Sequence, residues 1–141
     1  MPEESATPEL VELVDRLFEA VNRRDFDAVM SFYAPDAVWE PTGMGSTFEG
    51  EAAIRDLYED WISSYEEYGI KLEEAHNLGN GVVFALISQG GRPAGSTGAV
   101  RVRGGWIFLY VEGMIVRLTA YLNSDIDEGR AAAERLAASR E

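Results

Sequence analysis

The spacing of apolar residues changes near residue 70, and that change constrains the fold of this chain more than any other feature. Up to about residue 65, apolar side chains recur every three or four positions, which is the period of an amphipathic helix. From Ile70 onward they alternate with polar residues, which is the period of a β-strand. Helices followed by a run of long strands predict an α+β fold whose helices pack on one face of a sheet.

Three helices are predicted before the strands. Thr7 is expected to be the N-cap of the first, with Pro8 at its first helical position. Asp25 is expected to cap a short second helix, and a third is expected over about residues 51–65. The apolar stripe of the first helix consists of Leu10, Leu13, Val14, Leu17, Phe18 and Val21.

The strands are predicted from alternation and from turn residues. A short strand is expected over residues 37–41, and Asn80-Gly81 and Glu112-Gly113 are each typical of a tight hairpin turn. The Gly104-Gly105 pair is expected to break and bend a long strand. The second half of the chain therefore predicts an antiparallel meander that ends near Asn123.

Charge and composition exclude several functions. The chain has 25 Asp plus Glu against 12 Lys plus Arg, a formal charge of −13, which repels nucleic acid and anionic membranes. It has no cysteine, so disulfides and thiolate chemistry are excluded. The segment Met1–Thr7 lacks the features of a signal peptide, and no apolar stretch approaches the roughly 20 residues of a membrane helix. A cytoplasmic location is expected.

Two segments carry a resemblance to a known family. Residues 20–43, AVNRRDFDAVMSFYAPDAVWEPTG, and residues 108–123, FLYVEGMIVRLTAYLN, are similar to the NTF2-like superfamily and its SnoaL-like members. That superfamily includes ketosteroid isomerases, polyketide cyclases and limonene epoxide hydrolases. The resemblance implies one domain over residues 1–141, with its core at about 8–138. It also implies a cone: a strongly bent mixed or antiparallel sheet with three N-terminal helices on its concave face, plus a C-terminal helix.

The resemblance implies an apolar pocket inside the cone. Aromatic side chains suit a lipophilic cyclic ligand, although each of them could equally be part of an ordinary core. The hypothesis is thus a SnoaL-like domain that binds a small molecule. Its expected ligand-binding residues are Phe18, Trp39, Tyr58, Trp61, Phe84, Trp106, Phe108, Tyr110, Ala120 and Leu122.

Whether the pocket is catalytic stays open at this point. At positions where relatives carry acid–base groups, this chain has Leu17 and Ala120. Glu40 is the nearest carboxylate to the general base of the isomerases, and Tyr58 or Tyr110 could donate a hydrogen bond beside it. Glu40 could also face solvent. If the protein is an enzyme, the resemblance implies an isomerase, a cyclase or an epoxide hydrolase that uses no metal or cofactor.

The remaining polar candidates have simpler explanations. His76 could shuttle protons, but a lone histidine beside Glu73 and Glu74 is more often a surface residue. Ser124 and Asp127 resemble a capping box for a terminal helix that reaches Ala138. Helix capping therefore explains the acidic residues of this segment better than calcium binding does, and no metal site is expected. These acidic residues are Asp125, Asp127 and Glu128.

A third hypothesis is a protein-interaction module. The family commonly dimerises through the outer face of the sheet, and an exposed apolar patch there would need a partner. The resemblance therefore implies a homodimer. The residues expected on that outer face are Ile107, Leu109, Val111 and Tyr121.

Overall fold

The structure is a computed structural model that describes residues 9–43 and 45–140. It contains four α-helices in this part of the chain: α1 (Leu10–Asn22), α2 (Phe26–Met30), α3 (Glu51–Ser63) and α4 (Ile126–Ser139). A 3-10 turn, Asn123–Asp125, leads into α4. The strands are β1 (Tyr33–Pro41), β2 (Phe48–Glu49), β3 (Tyr65–Gly79), β4 (Val82–Pro93), β5 (Val100–Val111) and β6 (Met114–Leu122).

The six strands form one bent sheet in the order β2-β1-β6-β5-β4-β3. Strands β3 to β6 make an antiparallel meander, and its two tight turns fall at Asn80-Gly81 and Glu112-Gly113, as predicted. Asn80 and Glu112 both have positive φ, followed by glycines with positive φ, which is the backbone of the turns that match strand twist. Strand β1 returns to the sheet parallel to β6, so the sheet is mixed.

Different helices pack against the two faces of the sheet. Alternation along β4 sends Val83, Ala85 and Ile87 to the concave face, where they join the core formed with α1, α2 and α3. The intervening residues of β4 point to the other face and pack with Ile107 against Ala133 and Ala137 of α4. The α+β cone is confirmed, with the three N-terminal helices on the concave face and the C-terminal helix on the other face. The strand residues under α4 are Val82, Phe84 and Leu86.

Helix α4 also covers the predicted dimer face. Ile107 is only 5% exposed beneath it, and Leu109 and Tyr121 pack against the same cluster. Of the four residues expected on that face, Val111 alone is an exposed large hydrophobic residue. The predicted exposed apolar patch is therefore wrong, because the terminal helix already occupies most of that surface.

The N-termini of the first two helices test two of the predicted N-caps. Helix α1 begins at Leu10 with Glu9 as its N-cap residue. The predicted cap Thr7 and the predicted first residue Pro8 lie outside the described residues. Asp25 does cap α2, since its carboxylate accepts a hydrogen bond from the backbone N–H of Ala28 at 3.2 Å.

The predicted capping box before α4 is not formed. Asp125 is the N-cap residue of α4 and makes no side-chain capping hydrogen bond. The Ser124 hydroxyl instead contacts the Asp125 carboxylate at 3.4 Å. The 3-10 turn at Asn123–Asp125 moves the helix start to Ile126, which places Ser124 too far back to cap it.

Gly104 and Gly105 do not interrupt β5, contrary to the prediction. The strand pairs with β4 residue by residue from Val100 to Leu109 without a bulge. A Cβ on Gly105 would lie 2.9 Å from the Phe84 ring, and one on Gly104 would lie 2.8 Å from the Tyr121 carbonyl oxygen. These glycines are therefore explained by close packing around β5 and not by a bend.

Candidate functional site

A cavity of about 690 Å³ opens at one end of the sheet. It lies where the last residues of β1 and β6 meet the first residues of β5, with α3 forming one wall. Its volume is typical of sites for small organic molecules. The lining residues are Trp39, Pro41, Thr42, Leu57, Trp61, Gln89, Val102, Arg103, Gly104, Trp106, Ala120, Tyr121, Leu122, Asn123 and Ser124.

All three tryptophans of the chain converge on this cavity. The ring centroids of Trp39 and Trp106 are 5.5 Å apart at an interplanar angle of 82°. Trp61 lies 6.3 Å from each of them. Edge-to-face contacts of this kind are favourable and hold the rings in fixed orientations. The cavity therefore has a rigid aromatic floor drawn from β1, α3 and β5.

Few polar groups line the cavity, and several of them are already engaged. Gln89 accepts a hydrogen bond from the Tyr68 hydroxyl at 2.5 Å, and the Tyr68 ring packs 5.6 Å from Trp61. The Thr42 hydroxyl donates to the carbonyl oxygen of Ala120 at 2.9 Å. These bonds connect residues of the cavity wall and leave fewer of its polar groups available to bind polar groups of a ligand.

A cluster of buried tyrosines lies behind Trp39, deeper in the cone. The hydroxyls of Tyr33 and Tyr58 are 2.7 Å apart, and both residues are almost fully buried. The Trp39 indole N–H and the Tyr110 hydroxyl are also buried, and neither has a hydrogen-bond partner within the described residues. The cluster is thus a set of neutral polar groups enclosed by apolar side chains, with two donors that no described residue accepts.

Burial is the main cause that raises the pKa of each tyrosine in this cluster. The pKa of Tyr33 rises well above its ordinary value through burial, and the nearby Tyr58 raises it further. Burial also raises the pKa of Tyr58 and of Tyr110. At neutral pH these residues are therefore hydrogen-bond donors and not bases.

The predicted ligand-binding residues divide into two groups. Five of them line the cavity: Trp39, Trp61, Trp106, Ala120 and Leu122. Phe18, Tyr58, Phe108 and Tyr110 lie behind that layer in the packed core, where Phe18 contacts Trp106 with ring centroids 5.8 Å apart. The second group supports the first and does not itself border the cavity.

Phe84 is a correction to the predicted site. It lies on the outer face of the sheet beneath α4, where the Arg130 guanidinium stands 5.0 Å from the centre of its ring. The reason is register: Phe84 pairs with Ile107, whereas Ala85 pairs with Trp106 and shares its inward direction. The aromatic character of Phe84 therefore serves the contact between sheet and helix.

Glu40 is not brought together with Tyr58 and Tyr110. Trp39 points inward, so its neighbour Glu40 points to the opposite face of β1. There the exposed Glu40 carboxylate pairs with the Arg117 guanidinium of β6 at 3.2 Å. Glu40 is not among the cavity-lining residues, so the predicted catalytic set is not assembled at one site.

The other polar candidates also lie outside the cavity. His76 is exposed on β3 and contacts the Glu74 carboxylate at 3.0 Å. Among the described residues, no group of three or more His, Cys, Asp or Glu side chains is arranged to hold a metal ion. No described helix is long and apolar enough to cross a membrane.

Several lining residues were not anticipated. Gln89 and Val102 continue the inward alternation of Ile87 and Trp106, so extending the period-two pattern by one step would have found them. Asn123 and Ser124 follow the end of β6 and gave no signal of their own, since polar residues after a strand are typical of any turn.

A comparison against protein families agrees with the fold. A family model described as a SnoaL-like domain matches residues 14–118. This match spans more than half of the chain, from α1 to β6, and the chain therefore belongs to the SnoaL-like domain family. Among proteins with curated descriptions, none matches this chain.

Solved structures share the fold. Protein RV0760c from Mycobacterium tuberculosis, in complex with estradiol-17β-hemisuccinate, is similar with a TM-score of 0.73 and 19% identity over 83% of this chain and 95% of that one. A candidate polyketide cyclase from Xanthomonas campestris pv. campestris has a TM-score of 0.65 and 25% identity over 89% and 96%. TerC, co-crystallised with polyporic acid, has a TM-score of 0.70 and 14% identity over 89% and 98%.

Proposed function

We propose that this protein binds a lipophilic small molecule with a fused or planar ring system in the cavity lined by the three tryptophans. The observation that carries this proposal is the convergence of Trp39, Trp61 and Trp106 on one cavity of about 690 Å³. Indole rings held in fixed orientations offer flat, apolar contact area at little cost in side-chain entropy.

The composition of the wall favours an apolar ligand. Ala120 faces Trp106 across the β5–β6 pair, which leaves space above the indole because the alanine side chain is small. Leu57, Val102 and Leu122 extend the apolar surface toward the opening. Burial of ring carbons against such a wall contributes about 25 cal/mol for each Å² removed from water.

Binding is favoured over acid–base catalysis by the same wall. None of the described residues that line the cavity is an aspartate, a glutamate or a histidine. The buried tyrosines behind Trp39 have raised pKa values and act as donors, so they supply no general base at neutral pH. Glu40 faces the other side of β1, and we do not assign it a catalytic role.

Related folds support a ring-bearing ligand. The Mycobacterium tuberculosis protein was solved with a steroid ester, and TerC with polyporic acid. The low sequence identity to both means that they support the ligand class through shape alone.

The test is a fluorescence titration with three probes: estradiol as a steroid, limonene oxide as a terpenoid epoxide, and polyporic acid. All tryptophan emission comes from the cavity floor, so a bound ring changes it directly. At least one probe is expected to bind with micromolar affinity. A flat response to all three would contradict the proposal.

A pair of variants locates the binding event. Ala120→Phe places a phenyl ring in the cavity and is expected to weaken binding at least about ten-fold. Val111→Phe adds the same ring to an exposed position that does not line the cavity and is expected to bind as the unmodified chain does. Unchanged binding by Ala120→Phe would show that the probe occupies another site.

A further inference from the structure

Most polar side chains that line the cavity are already engaged or lie at its edge. Arg103 pairs with a glutamate of β3 at 2.8 Å, and Tyr121 packs in the cluster beneath α4. The Thr42 hydroxyl donates to a backbone carbonyl oxygen, and residues 123–124 are exposed beyond the end of β6. Gln89 differs from these residues: it is half-buried in the cavity wall, and its carboxamide can make more hydrogen bonds than the one it has.

The register of the sheet directs the Gln89 side chain into the cavity. Gln89 pairs with Val102 of β5 and with Ile70 of β3. Directly paired residues of neighbouring strands point to the same face, and here Val102 lines the cavity while Ile70 belongs to the concave core. Tyr68 precedes Ile70 by two positions and therefore shares this face. The carboxamide and the tyrosine hydroxyl thus meet on the inner surface of the sheet.

The Tyr68 hydroxyl fixes one end of the carboxamide. It donates to Gln89 Oε1 at 2.5 Å and makes no other hydrogen bond within the described residues. Burial raises the pKa of Tyr68, so the hydroxyl keeps its proton and needs an acceptor. A carboxamide turned the other way would leave that proton unpaired. The Tyr68 ring is itself held by contacts with Trp61 and Tyr65, whose ring centroids lie 5.6 Å and 5.3 Å away.

The other end of the carboxamide is free to bind a ligand. Gln89 Nε2 has no hydrogen-bond partner in the part of the chain that the structure describes. Unlike the Trp39 indole N–H, it is not a buried atom without a partner, so its N–H groups are accessible. Since Gln89 lines the cavity, a molecule in the cavity can reach them. With Oε1 occupied by Tyr68, the carboxamide offers the cavity donors and no acceptor.

We propose that Gln89 selects among ring compounds by donating a hydrogen bond from Nε2 to an acceptor oxygen of the ligand, such as a ring carbonyl. This inference rests on the proposed function, since the rings must occupy the cavity to bring an oxygen to the carboxamide. The ligand class is then a ring ketone or quinone. A ring that carries only an N–H donor at this point would meet another donor and leave both groups unpaired.

The experiment compares three tricyclic compounds of the same shape: fluorenone, fluorene and carbazole. They carry a carbonyl acceptor, a methylene group and an N–H donor, respectively, at the same ring position. Equilibrium dialysis at pH 8 with chromatographic quantification gives the three dissociation constants without interference from ligand fluorescence. The unmodified protein is expected to bind fluorenone about three- to ten-fold more tightly than carbazole, which is the contribution of one neutral hydrogen bond.

A nearly isosteric variant reverses the polarity of the proposed contact. Gln89→Glu keeps an acceptor for the Tyr68 hydroxyl but replaces the Nε2 donors with a second acceptor oxygen. It is expected to bind carbazole more tightly than fluorenone, while its affinity for fluorene stays within about two-fold of the unmodified protein. Asn77→Asp is the matched control, because it makes the same change on β3 outside the cavity and keeps the acceptor for the Gly79 N–H. This control is expected to keep the preference for fluorenone.

A second variant tests Tyr68 as a positioning residue. Tyr68→Phe removes the hydroxyl that occupies Oε1, so the carboxamide can turn either end toward the ligand. The difference between fluorenone and carbazole is expected to shrink, with carbazole gaining affinity. A purely structural loss would instead weaken all three compounds alike, and that result would overturn the role of Tyr68.

The outcomes separate this inference from the proposed function. A preference for fluorenone that persists in Gln89→Glu, or equal affinity for fluorenone and carbazole in the unmodified protein, would overturn the inference, and fluorene binding would leave the proposed function intact. Failure of fluorenone to bind would also overturn the inference. If no tricyclic compound binds and the three ring probes also fail, both proposals fall together.

Discussion

The side chain of Asn22, at the last turn of α1, forms a two-way hydrogen-bond pair with the backbone of Ile70 in β3. Its Oδ1 accepts from the Ile70 N–H at 2.8 Å, and its Nδ2 donates to the Ile70 carbonyl oxygen at 3.0 Å. Strand β3 is at the edge of the sheet, so these two backbone groups have no neighbouring strand on that side. An amide side chain replaces that strand and fixes the helix to the sheet edge.

Asn22→Ala is expected to destabilise the fold by about 1–2 kcal/mol, because both Ile70 backbone groups lose their partner. Asn22→Asp keeps the acceptor for the Ile70 N–H but sets a second carboxylate oxygen against the Ile70 carbonyl oxygen, so it is expected to destabilise the fold while still protecting that N–H. Urea denaturation measures both. Hydrogen exchange at the Ile70 amide should accelerate more in the alanine variant, and equal protection in the two variants would contradict this account.

The buried tyrosines predict opposite results for two similar substitutions. Tyr33→Phe removes the partner of the buried Tyr58 hydroxyl and is expected to cost about 1–2 kcal/mol. Tyr110→Phe removes a hydroxyl without a partner in the described residues, so its expected effect is within about 0.5 kcal/mol of zero. A large loss in Tyr110→Phe would show that its hydroxyl is bound in solution. Thermal and urea denaturation provide the comparison.

Stability is expected to fall steeply at alkaline pH. Burial raises the pKa of Tyr33, Tyr58, Tyr68 and Tyr110 in the folded state, so above pH 10 the unfolded chain releases these protons while the folded protein retains them. Their contribution is therefore fully present below about pH 10 and declines above it, by up to about 1.4 kcal/mol per pH unit for each tyrosine. Ultraviolet absorbance of tyrosinate should rise together with unfolding monitored by circular dichroism. Ionisation of all six tyrosines well before unfolding would contradict this prediction.

Gly129 in α4 is expected to resist replacement even though it is helical. An alanine Cβ would lie 2.8 Å from Tyr121 Cδ1 and 2.9 Å from its Cγ. Alanine gains about 1 kcal/mol over glycine in a helix, but the contact with the ring outweighs that gain, so Gly129→Ala is expected to destabilise. In a Tyr121→Ser background the same change should stabilise. A double-mutant cycle by urea denaturation measures the coupling, and simple additivity would rule out this contact as the cause.

The hydrophobic periods and the turn residues were sufficient to predict most of the fold. The stripe of α1 and the hairpins at Asn80-Gly81 and Glu112-Gly113 are local patterns, and all three are found in the structure. The predicted strand break at Gly104 and Gly105 was wrong because the role of these glycines depends on Phe84 and Tyr121, which lie on other strands. The sequence alone does not distinguish a glycine that permits close packing from one that bends a strand. The register of the neighbouring strand is needed to tell them apart.

The site was only partly predictable for a related reason. Trp106 could be placed inward by alternation with Phe108, but the direction of Phe84 depends on how β4 registers with β5. The loop that joins those strands is long, so it does not fix the register as a two-residue turn does. Glu40 illustrates the same limit, since alternation allows either face until Trp39 is known to point inward.

The parallel pairing of β1 with β6 determines when the cone can close. Trp39 of β1 pairs with Leu118 of β6, although β2, β3, β4 and β5 all lie between them in sequence. During synthesis β1 emerges before β3, β4 and β5 with only the two-residue β2 beside it, and its main neighbour, β6, is the last strand of this sheet to be made. Closure of so long a loop is entropically costly and slow. A chain truncated before residue 114 would therefore leave the tryptophan of β1 without its neighbouring strand, and a nascent chain would expose that apolar edge until β6 has been translated.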